Sequence, residues 1–170
     1  NLLSTPASAQ DRIAAWKQKW NESTFLKAQG LEVEETGVGR VTVRLPQVQP
    51  SQLGGGGTDN ELNSGVLNGG VISYMFDGAL GWAIMSALMD LPEAKEINPS
   101  DLRQFTINLD ITFLDAAIGS RFEAHGRIVR VSKSTAFAEG DFVDANGKVC
   151  ATAKGIWRIF WPRNKLAAAS

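Results

Sequence analysis

The sequence predicts an α+β fold in which a curled antiparallel sheet wraps one long apolar helix. Three observations predict it: a stretch at 70 to 90 that is apolar on nearly every side, a β-patterned hairpin before it, and four β-patterned runs after it. A helix without a broad polar face needs cover on most sides, and alternating strands need one buried face. A sheet curled around the helix satisfies both. At 170 residues, 44% of them apolar, the chain can bury one core and is short for two domains.

The elements follow in order. Ile13, Ala14, Trp16, Trp20 and Phe25 recur at roughly helical spacing over 8 to 29, and Gly30 supplies the stop, so a peripheral helix broken near Asn21 is expected. LEVEE (31 to 35) and RVTVRLP (40 to 46) read as strands joined by Thr36, Gly37, Val38 and Gly39, with Val41, Val43 and Leu45 on one face. A loop is expected over 46 to 67, where two prolines and four consecutive glycines stand. The segment GVISYMFDGALGWAIMSALMD is the buried helix, and LPEAKEINPS leaves it as loop.

Strands are expected over 104 to 114, 121 to 131, 134 to 143 and 148 to 160. The first alternates strictly, which puts Phe105, Ile107, Leu109, Ile111 and Phe113 on one face and Thr106, Asn108, Asp110 and Thr112 on the other. Asn146-Gly147 marks the last hairpin. The organisation read from this is a leader and peripheral helix over 1 to 24, the wrapped domain over 25 to 162, and a tail over 163 to 170 whose KLAAAS resembles a vector-derived end.

Composition excludes several function classes. Seventeen basic against eighteen acidic residues leave no electrostatic footprint of a general nucleic-acid binder. One cysteine, Cys150, and one histidine, His125, make neither a disulfide framework nor a metal-ligand cluster, so no metal is expected. No run is read as long enough to cross a bilayer, the most apolar one being interrupted by Asp77, and a soluble cytoplasmic protein is expected. His125 lacks a neighbouring Asp or Ser and reads as structural, and Cys150 reads as a small core residue.

The chemistry concentrates in SGVLNGGVISYMFDGA (64 to 79). Gly69 and Gly70 stand at the helix N-terminus, where free N–H groups and the helix dipole favour a developing negative charge and where missing side chains let a thioester approach. Asp77 follows inside the apolar helix as a candidate general base or nucleophile. Taken alone, it reads equally well as a structural carboxylate, either buried and satisfied by backbone or hydroxyl donors or partly exposed. Seven residues separate Gly70 from Asp77, about 10 Å along one helix axis. One carbonyl cannot touch both, so a shared reaction needs the amide of one chain and the carboxylate of a two-fold-related neighbour.

Over about residues 25 to 160 the chain resembles the hotdog-fold thioesterases, and within them the phenylacetate-pathway (PaaI-like) group that includes human acyl-CoA thioesterase relatives. Asn68, Gly69, Gly70 and Asp77 match that group's spacing, with Asn68 where the relatives usually carry histidine. FTINLDITFLDAAIGSRFEAHGRIVRVSKSTAF and GKVCATAKGIWRIF match the central strand, following hairpin and closing strand.

The resemblance implies an acyl-CoA thioesterase acting as a homodimer or a dimer of dimers, with coenzyme A entering only as part of the substrate and no further cofactor. It implies that the Gly69 N–H binds the thioester oxygen, that Asp77 activates water or attacks, and that Thr106 orients water. Asn63 is the nearest upstream match to a contributing asparagine, displaced by one position. The nucleotide would meet Arg130, Ser132, Lys133 and Ser134, with Arg158 and Arg103 as weaker candidates; an ordinary solvated turn explains that stretch equally well. Tyr74 and Trp82, with Met75 and Met85, lie near Asp77 in sequence as an acyl pocket or as plain core. Two other readings stay open: a protein that binds acyl-CoA without cleaving it, and a hotdog dehydratase or hydratase, whose histidine is missing from the matching region.

Overall fold

The helix α3 spans Gly69–Met89, and Ile72, Met75, Phe76, Leu80, Ile84 and Leu88 are among its buried residues. Its cover is a six-stranded antiparallel sheet in the order β1-β2-β6-β7-β8-β5, formed by Glu32–Gly37, Arg40–Leu45, Phe122–Val131, Thr135–Asp144, Val149–Phe160 and Arg103–Phe113 respectively. This computed structural model describes residues 8 to 54 and 65 to 162. The N-terminal leader up to residue 7, the glycines at 55 to 57, Asn63 and the C-terminal tail lie outside the described residues.

One rung crosses the whole sheet: Val33, Val43, Ala124, Phe142, Ala151 and Phe113 are successive partners. The first five are buried, whereas Phe113 on the outermost strand is 53% exposed. The next inward rung carries Gly126 beside Gly140. The helix lies directly on the first of these: a Cβ on Gly126 would stand 2.3 Å from the Ala79 carbonyl oxygen. Here glycine is required by close backbone approach and not by an unusual dihedral.

By length and composition α3 could cross a membrane, against the expectation that no run reaches that length. However, 61% of its apolar window is buried inside the domain, so packing against the sheet accounts for the apolarity.

The N-terminal segment forms two helices, α1 (Ala9–Gln18) and α2 (Thr24–Gln29), separated by a 3-10 turn at Lys19–Glu22. Ser8 and Asp11 close a capping box at the start of α1. The expected break near Asn21 has a physical cause. The Asn21 amide donates to the Val33 carbonyl and accepts from the Val33 N–H, both at 2.7 Å, so it occupies the free edge of β1. Gly30, at φ 65, ends α2 in the left-handed conformation.

The loop expected over 46 to 67 is partly structured. A 3-10 turn at Pro50–Gln52 leads into β3 (Leu53–Gly54), which pairs with β4 (Val66–Leu67) just before α3. Two-residue strands are too short to show a period in sequence. The segment after α3, expected as loop, carries 3-10 turns at Pro92–Glu96 and Pro99–Asp101.

The strict alternation expected along 104 to 114 is wrong. The pairing of β5 with β8 slips between Thr106 and Asn108, which leaves Ile107 as a bulged residue. Before the bulge Gln104 and Thr106 face the helix, since Gln104 donates to the Gly81 carbonyl at 2.8 Å and Thr106 reaches Asp77. After it Leu109 and Ile111 pack against the core. Phe105 and Ile107 are therefore not on the buried face and stand about 60% exposed.

Replacing Gly126 with alanine is expected to lower unfolding stability by about 3 kcal/mol in chemical denaturation, because the added methyl meets helix backbone that cannot rotate away.

Candidate active site

Asn68 caps α3 with an extended backbone, and its Oδ1 accepts from the Gly70 N–H at 2.7 Å. Its carbonyl accepts from Val71 and Ile72, and its own N–H donates to the Gln52 carbonyl at 2.9 Å. Gly70 was a candidate for substrate binding, but its amide is already engaged by the cap. The Gly69 N–H meets no acceptor among the described residues. Gly69 also has little room for a side chain, since a Cβ there would stand 3.3 Å from Phe113 Cζ. The capping asparagine thus leaves one amide of the Gly-Gly pair available.

Asp77 lies eight residues along, about 12 Å from Gly69 on the helix axis. Of the two structural settings the sequence left open for its carboxylate, buried or partly exposed, the single chain shows an exposed residue. The sheet does not close over this part of α3, and Gly70 and Asp77 fall on the same open stripe. Thr106 Oγ1 donates to Asp77 Oδ1 at 2.7 Å. The bulge at Ile107 makes that bond available, because unbroken alternation with Leu109 and Ile111 inward would turn Thr106 outward.

Tyr74 stands one turn before Asp77, and its ring lies 3.9 Å from that of Phe25 on α2. Burial, reinforced by the Asp77 charge, pushes its phenol up to about 12. Trp82, grouped with Asp77 by sequence proximity, points elsewhere. Five residues place it about 140° round the helix, where it folds back over Gly78 and meets Trp20 at 6.0 Å. The aromatic neighbour that sequence reasoning missed is Phe25, which had been read as part of a peripheral helix.

A family model for the thioesterase superfamily matches residues 64–151, just over half of the chain, and that span contains Asn68, Gly69, Asp77 and Thr106. The chain belongs to the thioesterase superfamily. A Sulfurisphaera tokodaii protein named as a proposed esterase is 31% identical over 48% of this chain and 62% of its own length, so the chain spans less than two thirds of that relative. A Halobacterium salinarum protein of similar name is 27% identical over 92% of this chain and 97% of its own. Among solved structures, the PaaI protein of the E. coli phenylacetic acid degradation operon aligns at TM-score 0.68 and 16% identity, over 91% of this chain and 97% of its own. A Bacillus halodurans protein solved with CoA aligns at TM-score 0.63 and 22% identity, over 91% and 90%. The fold is the hotdog fold expected from the sequence.

In this thioesterase-superfamily chain the remaining candidates gather at the β6–β7 turn. Ser132 Oγ accepts from the Thr135 N–H and donates to its carbonyl, and the Lys133 carbonyl accepts from Trp161 Nε1 at 2.9 Å. Ser132 and Lys133 line a cavity of about 800 Å³ with Leu91, Ile97, Val131 and Trp161. The Ser134 carbonyl accepts from the Ile159 N–H. Arg130 pairs with Phe137 on the outer face and does not line the cavity. Arg158, another outer-face residue, covers the Phe160 ring at 5.7 Å, and Arg103 pairs with Phe160. Thr135 partners Arg158, which partners Phe105, so two strand spacings, about 10 Å, separate the turn from the neighbour of Thr106.

His125 meets Glu123 at 2.7 Å, and this contact holds the Glu123 carboxyl below its ordinary range. Cys150 is buried, which pushes its thiol up and keeps it protonated. Among the described residues no three His, Cys, Asp or Glu side chains gather as a metal-ligand group.

Tyr74 is the single tyrosine, so absorbance titration of tyrosinate reads this site alone. The expected midpoint is about 12 against an ordinary 10.0, with Asp77→Asn lowering it by removing the smaller, charge-derived part. The raised value favours the protonated folded state. Its contribution to stability is fully present below pH 10.0 and is lost as the pH rises towards about 12, which melting temperatures across that window would register.

Proposed function

We propose that the chain hydrolyses an acyl-CoA thioester to a free carboxylic acid and CoA, at a site shared between two copies. The observation that carries this reading is the separation of two complementary groups on one helix. A Gly69 N–H without an acceptor among the described residues suits an oxyanion, a hydroxyl-anchored Asp77 suits a base, and about 12 Å lies between them. Within one copy they cannot serve one carbonyl. Across a two-fold axis the Gly69 of one helix comes level with the Asp77 of the other.

The edge of the sheet supports such an assembly. Among the described residues the outer strand β5 has no partner on one side, and Phe105, Ile107 and Phe113 along it and Leu114 just beyond it are each more than half exposed. Edge-to-edge pairing of β5 with a second copy would satisfy its free backbone groups and cover apolar surface. It would also remove water from Asp77, which strengthens each polar contact in the site.

In the reaction Asp77, with Oδ1 held by Thr106, takes a proton from water through its other oxygen as the water oxygen bonds to the acyl carbon. The negative charge that collects on the carbonyl oxygen is met by the partner's Gly69 N–H. Collapse of this intermediate breaks the C–S bond, and the leaving sulfur recovers the proton as CoA thiol. Were Asp77 the nucleophile, an acyl-aspartate would form first. Label from water found in the Asp77 side chain would reveal this second route, because only an acyl-aspartate opened at the aspartyl carbon puts it there. The CoA-bound state of the Bacillus halodurans fold neighbour and the Ser132–Lys133 cavity support CoA as the carrier, with its phosphates near the β6–β7 turn.

Thiol release from acyl-CoA is expected, and Asp77→Asn should lower kcat by about 10²–10⁴ while leaving the fold intact. Tight binding with no thiol release would overturn the hydrolase in favour of a binding protein. The shared site has its own test. Gly69→Pro deletes the N–H at a first-turn position whose backbone tolerates proline, with the half-exposed Phe113 ring giving way to its Cβ. Each variant alone should be inactive, whereas mixed dimers of Asp77→Asn with Gly69→Pro should regain about a quarter of the activity, one intact site in half of the dimers. No recovery on mixing would overturn the shared site.

A further inference from the structure

We propose that Phe25 and Tyr74 form the wall that selects the acyl group, favouring an uncharged apolar acyl chain longer than acetyl. The proposal rests on the acyl-CoA hydrolase reading and adds to it a residue, Phe25, that lies outside residues 64–151, the span matched by the family model.

Phe25 is 45% exposed although its ring is packed at 3.9 Å and 37° against Tyr74. One side of the ring is supported and the other is open. Tyr74 precedes Asp77 by three residues on α3, about 4.5 Å along the axis and 60° round it. An acyl group whose thioester carbon is held at Asp77 therefore has Tyr74 beside it and Phe25 one ring further on. Thr106 bounds the opposite side of the carboxylate.

The wall is fixed relative to the helix terminus by a single buried residue. Gln52 Nε2 donates to the Gln29 carbonyl, the last residue of α2, at 2.8 Å, and the Gln52 backbone carbonyl accepts from the Asn68 N–H at 2.9 Å. Gln52 is 3% exposed, and Leu26 beside Phe25 is 1% exposed. These contacts tie α2 to the cap of α3, so Phe25 is a preorganised surface and not a loosely hung ring. Tyr74 remains a neutral phenol at physiological pH. Two neutral rings beside the Asp77 carboxylate offer dispersion contact to an alkyl or aryl chain and disfavour a second carboxylate.

The test compares kcat/KM for acetyl-, hexanoyl- and succinyl-CoA in the full chain and in Phe25→Ala and Phe25→Leu. Wild type is expected to prefer hexanoyl over both others. The hexanoyl-to-acetyl ratio should fall about tenfold in Phe25→Ala and less in Phe25→Leu, which keeps most of the apolar volume. A ratio unchanged in both variants, or a wild type that prefers succinyl, overturns the wall. The same ratio is readable without turnover, by calorimetry of the non-hydrolysable thioether hexyl-CoA against CoA itself. There Phe25→Ala should weaken the thioether about tenfold relative to CoA. If no thioester is cleaved while this binding ratio falls as expected, hydrolysis fails and the wall stands. If Asp77→Asn abolishes cleavage while neither ratio responds to Phe25, hydrolysis stands and the wall fails.

Discussion

The contact between the α3 backbone and Gly126 sets the geometry of the domain. A helix apolar on nearly all sides has to be enclosed, and a sheet can enclose it only if some strands approach as closely as backbone allows. The rung through Gly126 and Gly140 provides that approach at the centre of the sheet. The strands on either side curl up around the helix from there. Six strands cover most of the circumference but not all of it, and the uncovered stripe carries Gly70 and Asp77. The candidate site is the seam that the wrapping leaves open.

Two devices manage that seam. On one side α2 leans over it, with Phe25 on Tyr74, while Asn21 occupies the edge of β1 and Trp20 packs on Trp82 further round the helix. On the other side the edge strand β5 reaches in with Thr106 and Gln104. The polar groups in between are few, and each has a definite task. Asn68 spends its side-chain oxygen on Gly70, and the neighbouring amide of Gly69 has no acceptor among the described residues.

The periodic elements were legible because periodicity survives folding. The buried helix, the six strands of the main sheet and the break near Asn21 all lie within a residue or two of where hydrophobic spacing puts them. Departures from periodicity were not legible. Phe105, Ile107, Leu109, Ile111 and Phe113 form an unbroken alternating series in sequence, and nothing in the letters marks the extra residue at 107. Whether Asp77 is buried or exposed was not legible, since the width of the seam depends on how far the sheet curls. Trp82 was grouped with Asp77 by distance along the chain, although five residues turn a side chain to the far side. Phe25 has no signal of its own, because its position depends on the Gln52 bridge between α2 and α3.

The bulge in β5 has an evolutionary side. Along a strand, inward and outward positions form a parity, and one extra residue inverts that parity for everything on one side of it. Thr106 and Leu109, three residues apart, would face opposite ways on an unbroken strand, and both face the helix because the bulged residue lies between them. A lineage of such domains can therefore gain or lose a hydroxyl beside the carboxylate by inserting or deleting one codon near position 107, without exchanging a single side chain in the core. Related chains that differ by one residue in this strand then differ in the surroundings of their carboxylate even where every aligned letter agrees.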